Sequence, residues 1–167
     1  MKKEVTRNFL EINSLYDLRE GSHPTNDYCL ILQDPVNFQL NKFLYKKIGY
    51  KHKWVDRLIW SEQQWINYVS SDNVKTYILK CKNDIAGYFE LIHHKEKKEI
   101  ELAYLGILEE YQNKQLGSFL LSEAIKESFK NKINRVWAHT CTLDHKNALN
   151  NYITRGMKIF KTEIINI

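Results

Sequence analysis

The sequence predicts an α+β fold: a mixed, mostly antiparallel central sheet of about six or seven strands, flanked by about four helices. Three observations carry this. The hydrophobic period switches repeatedly between about 3.6 and 2 along one chain. Between Lys75 and Ile107, three apolar runs are joined by short polar turns, which is the pattern of an antiparallel meander. After Ile107, helix-like and strand-like segments alternate to the end. The chain has 167 residues with only two prolines and six glycines. That reads as a single domain over 1–167, without an internal linker.

Taken in order, Lys3–Ile12 reads as a first strand. The turn-rich run from Glu20 to Asp27 follows it, and Tyr28–Gln33 is expected as a second, hairpin-paired strand. Asp34-Pro35 opens a helical region ending at Gly49, with Phe38, Phe43, Leu44 and Ile48 as its apolar face. A second helix starts at Ser61-Glu62 and buries Trp65, Ile66 and Val69. Ser61 serves as N-cap, and no capping box is expected because the glutamate is adjacent rather than three residues on. Tyr77–Leu79, Ile85–His93 and Glu99–Ile107 form the meander. A strong amphipathic helix then runs from about Gln115 to Lys130, on a stripe that includes Leu116, Leu120, Ala124 and Ile125. Arg135–Thr142 is a strand, Asp144–Arg155 a helix and Met157–Ile164 a last strand.

Composition excludes several classes. Hydrophobic residues at 43% and charged residues at 27% describe a globular chain. No apolar run approaches the roughly 20 residues of a membrane span, and no apolar stretch of leader length follows Met1-Lys2-Lys3-Glu4. Cys29, Cys81 and Cys141 are odd in number, widely spaced and set in apolar strand-like runs. They are expected as free core residues in a reducing cytoplasm, with neither disulfide nor metal. The net charge of +5 suits an anionic ligand as well as nucleic acid. Nucleic acid is not expected as a partner, because neither a recognition helix nor an aromatic binding strip is visible.

Chemistry concentrates between Ile100 and Ser118. An apolar strand, Glu101 to Ile107, runs into a short polar loop that opens directly onto a long helix. A helix N-terminus offers unpaired backbone N–H groups and a partial positive charge, so a loop wrapped around it suits a phosphate or pyrophosphate. Gly117 leaves room for close approach, and Asn113, Lys114 and Ser118 add donors. An ordinary structural turn would share these features.

The wider pattern resembles the GNAT superfamily of acetyl-CoA-dependent N-acetyltransferases. That family carries Arg or Gln, two residues, Gly, one residue, then Gly or Ala after its fourth strand. Here Gln112 and Gly117 match, while Gln115 stands where the first glycine is expected. The resemblance continues in Ala148, Asn151-Tyr152 and Gly156-Met157, with His145 in place of the family's asparagine. One bacterial GNAT subgroup is resembled more narrowly, through Trp137 to His145 and through Tyr45, Gly49, Trp54, Asp56-Arg57 and Trp60 upstream. It covers the chain from about Asn41 to Glu163.

The resemblance implies that acetyl-CoA is the co-substrate, with no metal, and that acetyl moves directly to a primary amine in a ternary complex. It implies that Gln112, Asn113, Lys114, Gln115, Leu116, Gly117 and Ser118 hold the pyrophosphate, that Leu105 and Ile107 contact the pantetheine and acetyl portion, and that His145 lies at the coenzyme. Glu101 matches the family's general-base glutamate, with Glu90 as runner-up and a possible contact to the acceptor. Tyr152 matches the tyrosine that donates to the leaving thiolate. Trp54 and Arg57 are expected along the acceptor pocket. His139 shares a strand face with Trp137 and Cys141 and is expected as a satisfied core histidine rather than a base. Glu101 has a plainer reading as a half-exposed strand residue, and Tyr152 as a core aromatic. The departures at Gln115 and His145 keep a non-catalytic acyl-CoA-binding domain as the alternative. A homodimer is expected from the family's habits.

Overall fold

The computed structural model describes residues 3–167. Met1 and Lys2, the head of the stretch read for a leader segment, lie outside the described residues. Seven strands form one sheet: β1 (Glu4–Ile12), β2 (Tyr28–Leu32), β3 (Val74–Cys81), β4 (Asp84–His94), β5 (Glu99–Ile107), β6 (Arg135–Cys141) and β7 (Lys158–Asn166). Four helices flank it: α1 (Phe38–Gly49), α2 (Glu62–Val69), α3 (Leu116–Phe129) and α4 (Ala148–Thr154). The strand order is β2-β3-β4-β5-β6-β1-β7, and every neighbouring pair is antiparallel except β5–β6. The mixed, mostly antiparallel α+β sheet is therefore as the period changes predict.

Two cores sit on opposite faces. On one, Leu116, Leu120, Leu121, Ala124 and Ile125 of α3 meet Ile100 and Leu102 of β5 and Val136 and Ala138 of β6, with Leu149 and Tyr152 of α4 packed alongside. On the other, Leu44 and Ile48 of α1 meet Ile78 and Tyr88, joined by Trp54 and Tyr104. α1 and α2 thus cover the β3–β5 half of that face. At its β6-β1-β7 end, Phe9 lies beside Trp137, His139 and Phe160, with ring centroids 6.4, 5.4 and 6.2 Å away.

Several local expectations change. β2 is no hairpin partner of β1; it pairs with β3 at the far edge, while β1 sits between β6 and β7. The turn-rich segment before β2 is long enough to carry the chain across the sheet, and a short apolar run does not specify its partner. α1 begins at Phe38, where the Asn37 side chain caps Leu40 N–H at 3.1 Å. Its buried positions are Asn41, Leu44, Tyr45 and Ile48, whereas Phe43 is 53% exposed. The helix is rotated because buried Asn41 bonds Glu90 and Thr76. A capping box does close α2: Ser61 accepts from Gln64 N–H and the Gln64 side chain accepts from Ser61 N–H. Glutamine at the third helical position serves as glutamate would. Cys29 is exposed and Cys141 half-buried, while half-buried Cys81 packs against the edge of the core, so the expected core placement holds in part for Cys81 alone.

Candidate active site

The site starts from a split between two parallel strands. β5 and β6 pair over only three positions, Glu99, Ile100 and Glu101 opposite Arg135, Val136 and Trp137. Just beyond, β5 carries an extra residue: Glu90 of β4 faces Tyr104 and Leu91 faces Leu102, leaving Ala103 unmatched. A bulge bends its strand and increases the local twist. Here it carries β5 away from β6 while β5 stays paired with β4 as far as Ile107. The main-chain groups of this half of β5 that face away from β4 have no strand partner.

The gap opens into a cavity of about 960 Å³, at the upper end of the range for small-molecule sites. Its wall draws on both faces of the sheet: Leu105, Ile107, Thr140 and Tyr152 from the α3 and α4 side, Tyr104, His139 and Cys141 from the other. Gln112, Asn113, Gln115, Leu116, Gly117, Ser118 and His145 also line it, and Lys114 does not. Lys114 instead sits over the Tyr111 ring at 5.4 Å.

The loop before α3 is shaped for an anion. Asn113 and Gln115 both adopt φ of +60°, and Gln115 is the N-cap of α3 without any side-chain cap bond. The N–H groups of the first turn are thereby left for a ligand. Gln115 takes the left-handed conformation that a glycine would adopt freely, so the departure from the family pattern preserves the backbone path at a conformational cost. A Cβ built on Gly117 would come no nearer than 3.7 Å to another atom, the Asn151 Nδ2. Nothing in the protein itself needs a glycine there. The Gly117 carbonyl accepts from Asn151 at 3.1 Å, tying α4 to this turn.

A second loop spans the gap from the α1 side. Trp54 packs so closely on α1 that a Cβ on Gly49 would lie 2.6 Å from its Cβ. Its indole N–H donates to Asp144 at 3.4 Å, and a His52 ring nitrogen lies 3.3 Å from the Leu143 carbonyl. Asp144 is the hub on the far side, accepting from the Thr140 hydroxyl at 2.6 Å and from Cys141 N–H at 2.9 Å. These bonds turn residues 144–147 into a loop, which is why α4 starts at Ala148 and not at Asp144. His145 accepts from Asn147 N–H at 3.2 Å. Burial first, and then the Asp144 carboxylate, push the Tyr152 pKa well above the ordinary phenol value, so its proton is held firmly. Burial likewise raises the Cys141 thiol, which disfavours a thiolate.

Besides Lys114, three expected site residues lie outside the cavity. Glu101 does not line the cavity; it sits at the last paired position of β5 and bonds His94 at 2.9 Å. Glu90 is fully buried and also outside the cavity, ionically paired with Arg57 at 2.8 Å and accepting from Asn41 at 2.9 Å and Tyr68 at 2.8 Å. Arg57 is 6% exposed, enclosed by Tyr45, Trp60, Trp65, Tyr68 and Tyr104 at 4.1–5.7 Å. A pair so enclosed supports the loop from beneath and does not face an acceptor. His139 is exposed and lines the cavity, in contrast to its expected core role. Its strand parity was legible; that the opposing face would be open was not.

The sequence model of the acetyltransferase (GNAT) family matches residues 38–157, most of the chain. The chain belongs to the GNAT acetyltransferase family. Solved GNAT folds resemble it throughout. A GCN5-related N-acetyltransferase from Sphaerobacter thermophilus aligns with a TM-score of 0.75 at 11% identity, over 99% of this chain and 52% of the other. A conserved protein of unknown function from Staphylococcus epidermidis aligns at 0.66 and 16% identity, over 98% and 61%. An aminoglycoside acetyltransferase from an uncultured soil metagenomic sample aligns at 0.64 and 13% identity, over 78% and 88%. At such identities the likeness is one of fold. This GNAT chain spans little more than half the length of the first two structures. No curated protein matches it. Among the described residues, no helix of this GNAT domain is long and apolar enough to cross a membrane.

Proposed function

We propose that this GNAT domain is an N-acetyltransferase that uses acetyl-CoA and transfers the acetyl group directly to a primary amine. One observation carries the reading: the uncapped first turn of α3, with room for a side chain over Gly117, adjoins the split between β5 and β6. Acetyl-CoA supplies an activated thioester carbonyl. The amides from Gln115 to Ser118 bind its pyrophosphate, an anion at a helix N-terminus. The main chain around Leu105 and Ile107, which has no partner strand on this side and whose Ile107 carbonyl accepts from the Gln112 side chain, binds the pantetheine as a strand would. The Tyr152 hydroxyl protonates the departing sulfur, and its raised pKa keeps that proton in place until the thiolate forms. Trp54 bounds the acceptor side of the cavity.

The test is thiol release from acetyl-CoA with a panel of phenethylamine, spermidine, kanamycin and a lysine-containing peptide, alongside calorimetric binding of coenzyme A. Binding together with amine-dependent thiol release is the expected result. Binding without release for any amine would favour the acyl-CoA-binding alternative, and failure to bind coenzyme A would remove the reading altogether.

A further inference from the structure

We propose that His139, from the helix-free side of the split, takes the proton from the acceptor amine, the position to which sequence resemblance assigns Glu101. The inference rests on the transferase reading above. His139 is on β6, in the part of that strand no longer paired with β5, and its side chain projects to the face opposite α3. There it is exposed, lines the cavity and packs against Phe9 at 5.4 Å between ring centroids. Among the described residues it makes no hydrogen bond, so a ring lone pair is available.

Two other groups of the wall have their acceptor atoms engaged: His145 accepts from Asn147 N–H through Nδ1, and Asp144 accepts from Thr140 and Cys141 N–H. His52 turns Nδ1–H to the Leu143 carbonyl on the Trp54 side of the cavity, which leaves its Nε2 lone pair as the competing base. Asp56 also lines the cavity and has no bonded partner among the described residues. Its charge draws in an ammonium ion. Glu101 is held by His94 and Glu90 by Arg57.

The charged groups around His139 come from every neighbouring element: Arg7 on β1, Glu101 on β5, Glu163 with Lys161 on β7, Asp144 before α4, and Asp56 in the α1–α2 loop. The ring reaches solvent yet stands close among protein atoms, and this partial desolvation and then Arg7 lower its pKa from the ordinary 6.5, outweighing the carboxylates. His139 is therefore neutral at pH 7, with its lone pair free.

The step balances. The amine nitrogen bonds the thioester carbonyl carbon, the C–S bond breaks, the amine proton goes to His139, and the sulfur takes the Tyr152 proton. Solvent then restores both side chains, and the products are the amide and free coenzyme A.

His139→Ala, assayed with acetyl-CoA and the fastest amine of the panel, should lower kcat/KM for the amine by about 10²–10⁴-fold, with coenzyme A binding and melting temperature unchanged. The unsubstituted protein should show an inflection below pH 6.5 that the variant lacks, and added imidazole should restore part of the rate. Glu101→Gln should lose much less. Unchanged turnover and pH profile in His139→Ala, or a loss seen only in Glu101→Gln, overturns the assignment of the base and leaves the transferase reading standing. No thiol release by the unsubstituted protein overturns both.

Discussion

Gly117→Ala separates the protein's own needs from those of a ligand. The added Cβ would lie 3.7 Å from its nearest neighbour, Asn151 Nδ2, so it fits without displacing anything. Alanine is better than glycine in a helix by up to about 1 kcal/mol, and less in a first turn. For a chain of this size that corresponds to a melting temperature higher by as much as about 3 °C. The same methyl would occupy the space over the first turn of α3, where the pyrophosphate must come close to the amides. Loss of one charge-assisted hydrogen bond there costs about 1.5–3 kcal/mol, or roughly 10- to 100-fold in coenzyme A affinity. Thermal melting and calorimetry on the one variant read both quantities. Equal affinity for coenzyme A in Gly117→Ala and the unsubstituted protein would refute the placement of the pyrophosphate, whatever the melting temperature does.

Gln115→Gly should stabilise the fold by about 0.5–1 kcal/mol in denaturant unfolding, since glycine relieves a φ of +60°, and coenzyme A affinity should be kept. Glu90→Gln leaves the Arg57 guanidinium buried without its carboxylate; unfolding should become easier by about 3–5 kcal/mol, and the Glu90→Gln, Arg57→Met double variant should recover part of this. Tyr152→Phe should lower kcat by about 10²-fold with little change in amine KM, and no alkaline inflection near 10 should be lost, because Tyr152 titrates well above that value. For stability against pH, the lowered His139 pKa means that the unfolded chain binds the proton more readily. The stabilisation is complete above about pH 6.5 and is lost as pH falls through the folded value, so His139→Ala should flatten that acid limb in thermal melts.

Features fixed by local pattern were legible. The strand–loop–helix junction at 100–118 shows in sequence because the hydrophobic period changes there, and Tyr152 is marked by the resemblance of Ala148 to Met157 to the family's second block. Features fixed by the partner strand were not. The bulge at Ala103 exists only in the register of β5 against β4, and nothing in Leu102-Ala103-Tyr104 marks it. The assignment of Glu101 as base failed to foresee this register, since the strand turns toward the cavity only after residue 101. Hydropathy places Phe43 in the core and gives no reason to bury Asn41. The structure inverts them through a polar network whose other members, Thr76 and Glu90, lie 35 and 49 residues away.

That buried network connects stability to the site. Glu90 lies on β4 opposite Tyr104, immediately beside the bulge that splits the sheet. Its carboxylate holds Arg57, whose backbone N–H donates to the Tyr45 hydroxyl at 3.1 Å. Arg57 in turn anchors the loop that begins at Lys53, where φ is +53°, and carries Trp54 and Asp56 along the cavity. A buried ion pair is weak support for net stability but a strong device for selecting one geometry. Here the selected geometry is that of the loop whose Trp54 reaches Asp144 across the gap, a bond that, with the His52 contact to the Leu143 carbonyl, ties this loop to the segment after β6. Glu90 and Arg57, which sequence resemblance drew toward the acceptor, therefore lie beneath the cavity wall, and their substitution should change the amine KM through the position of Trp54 rather than by removing a contact.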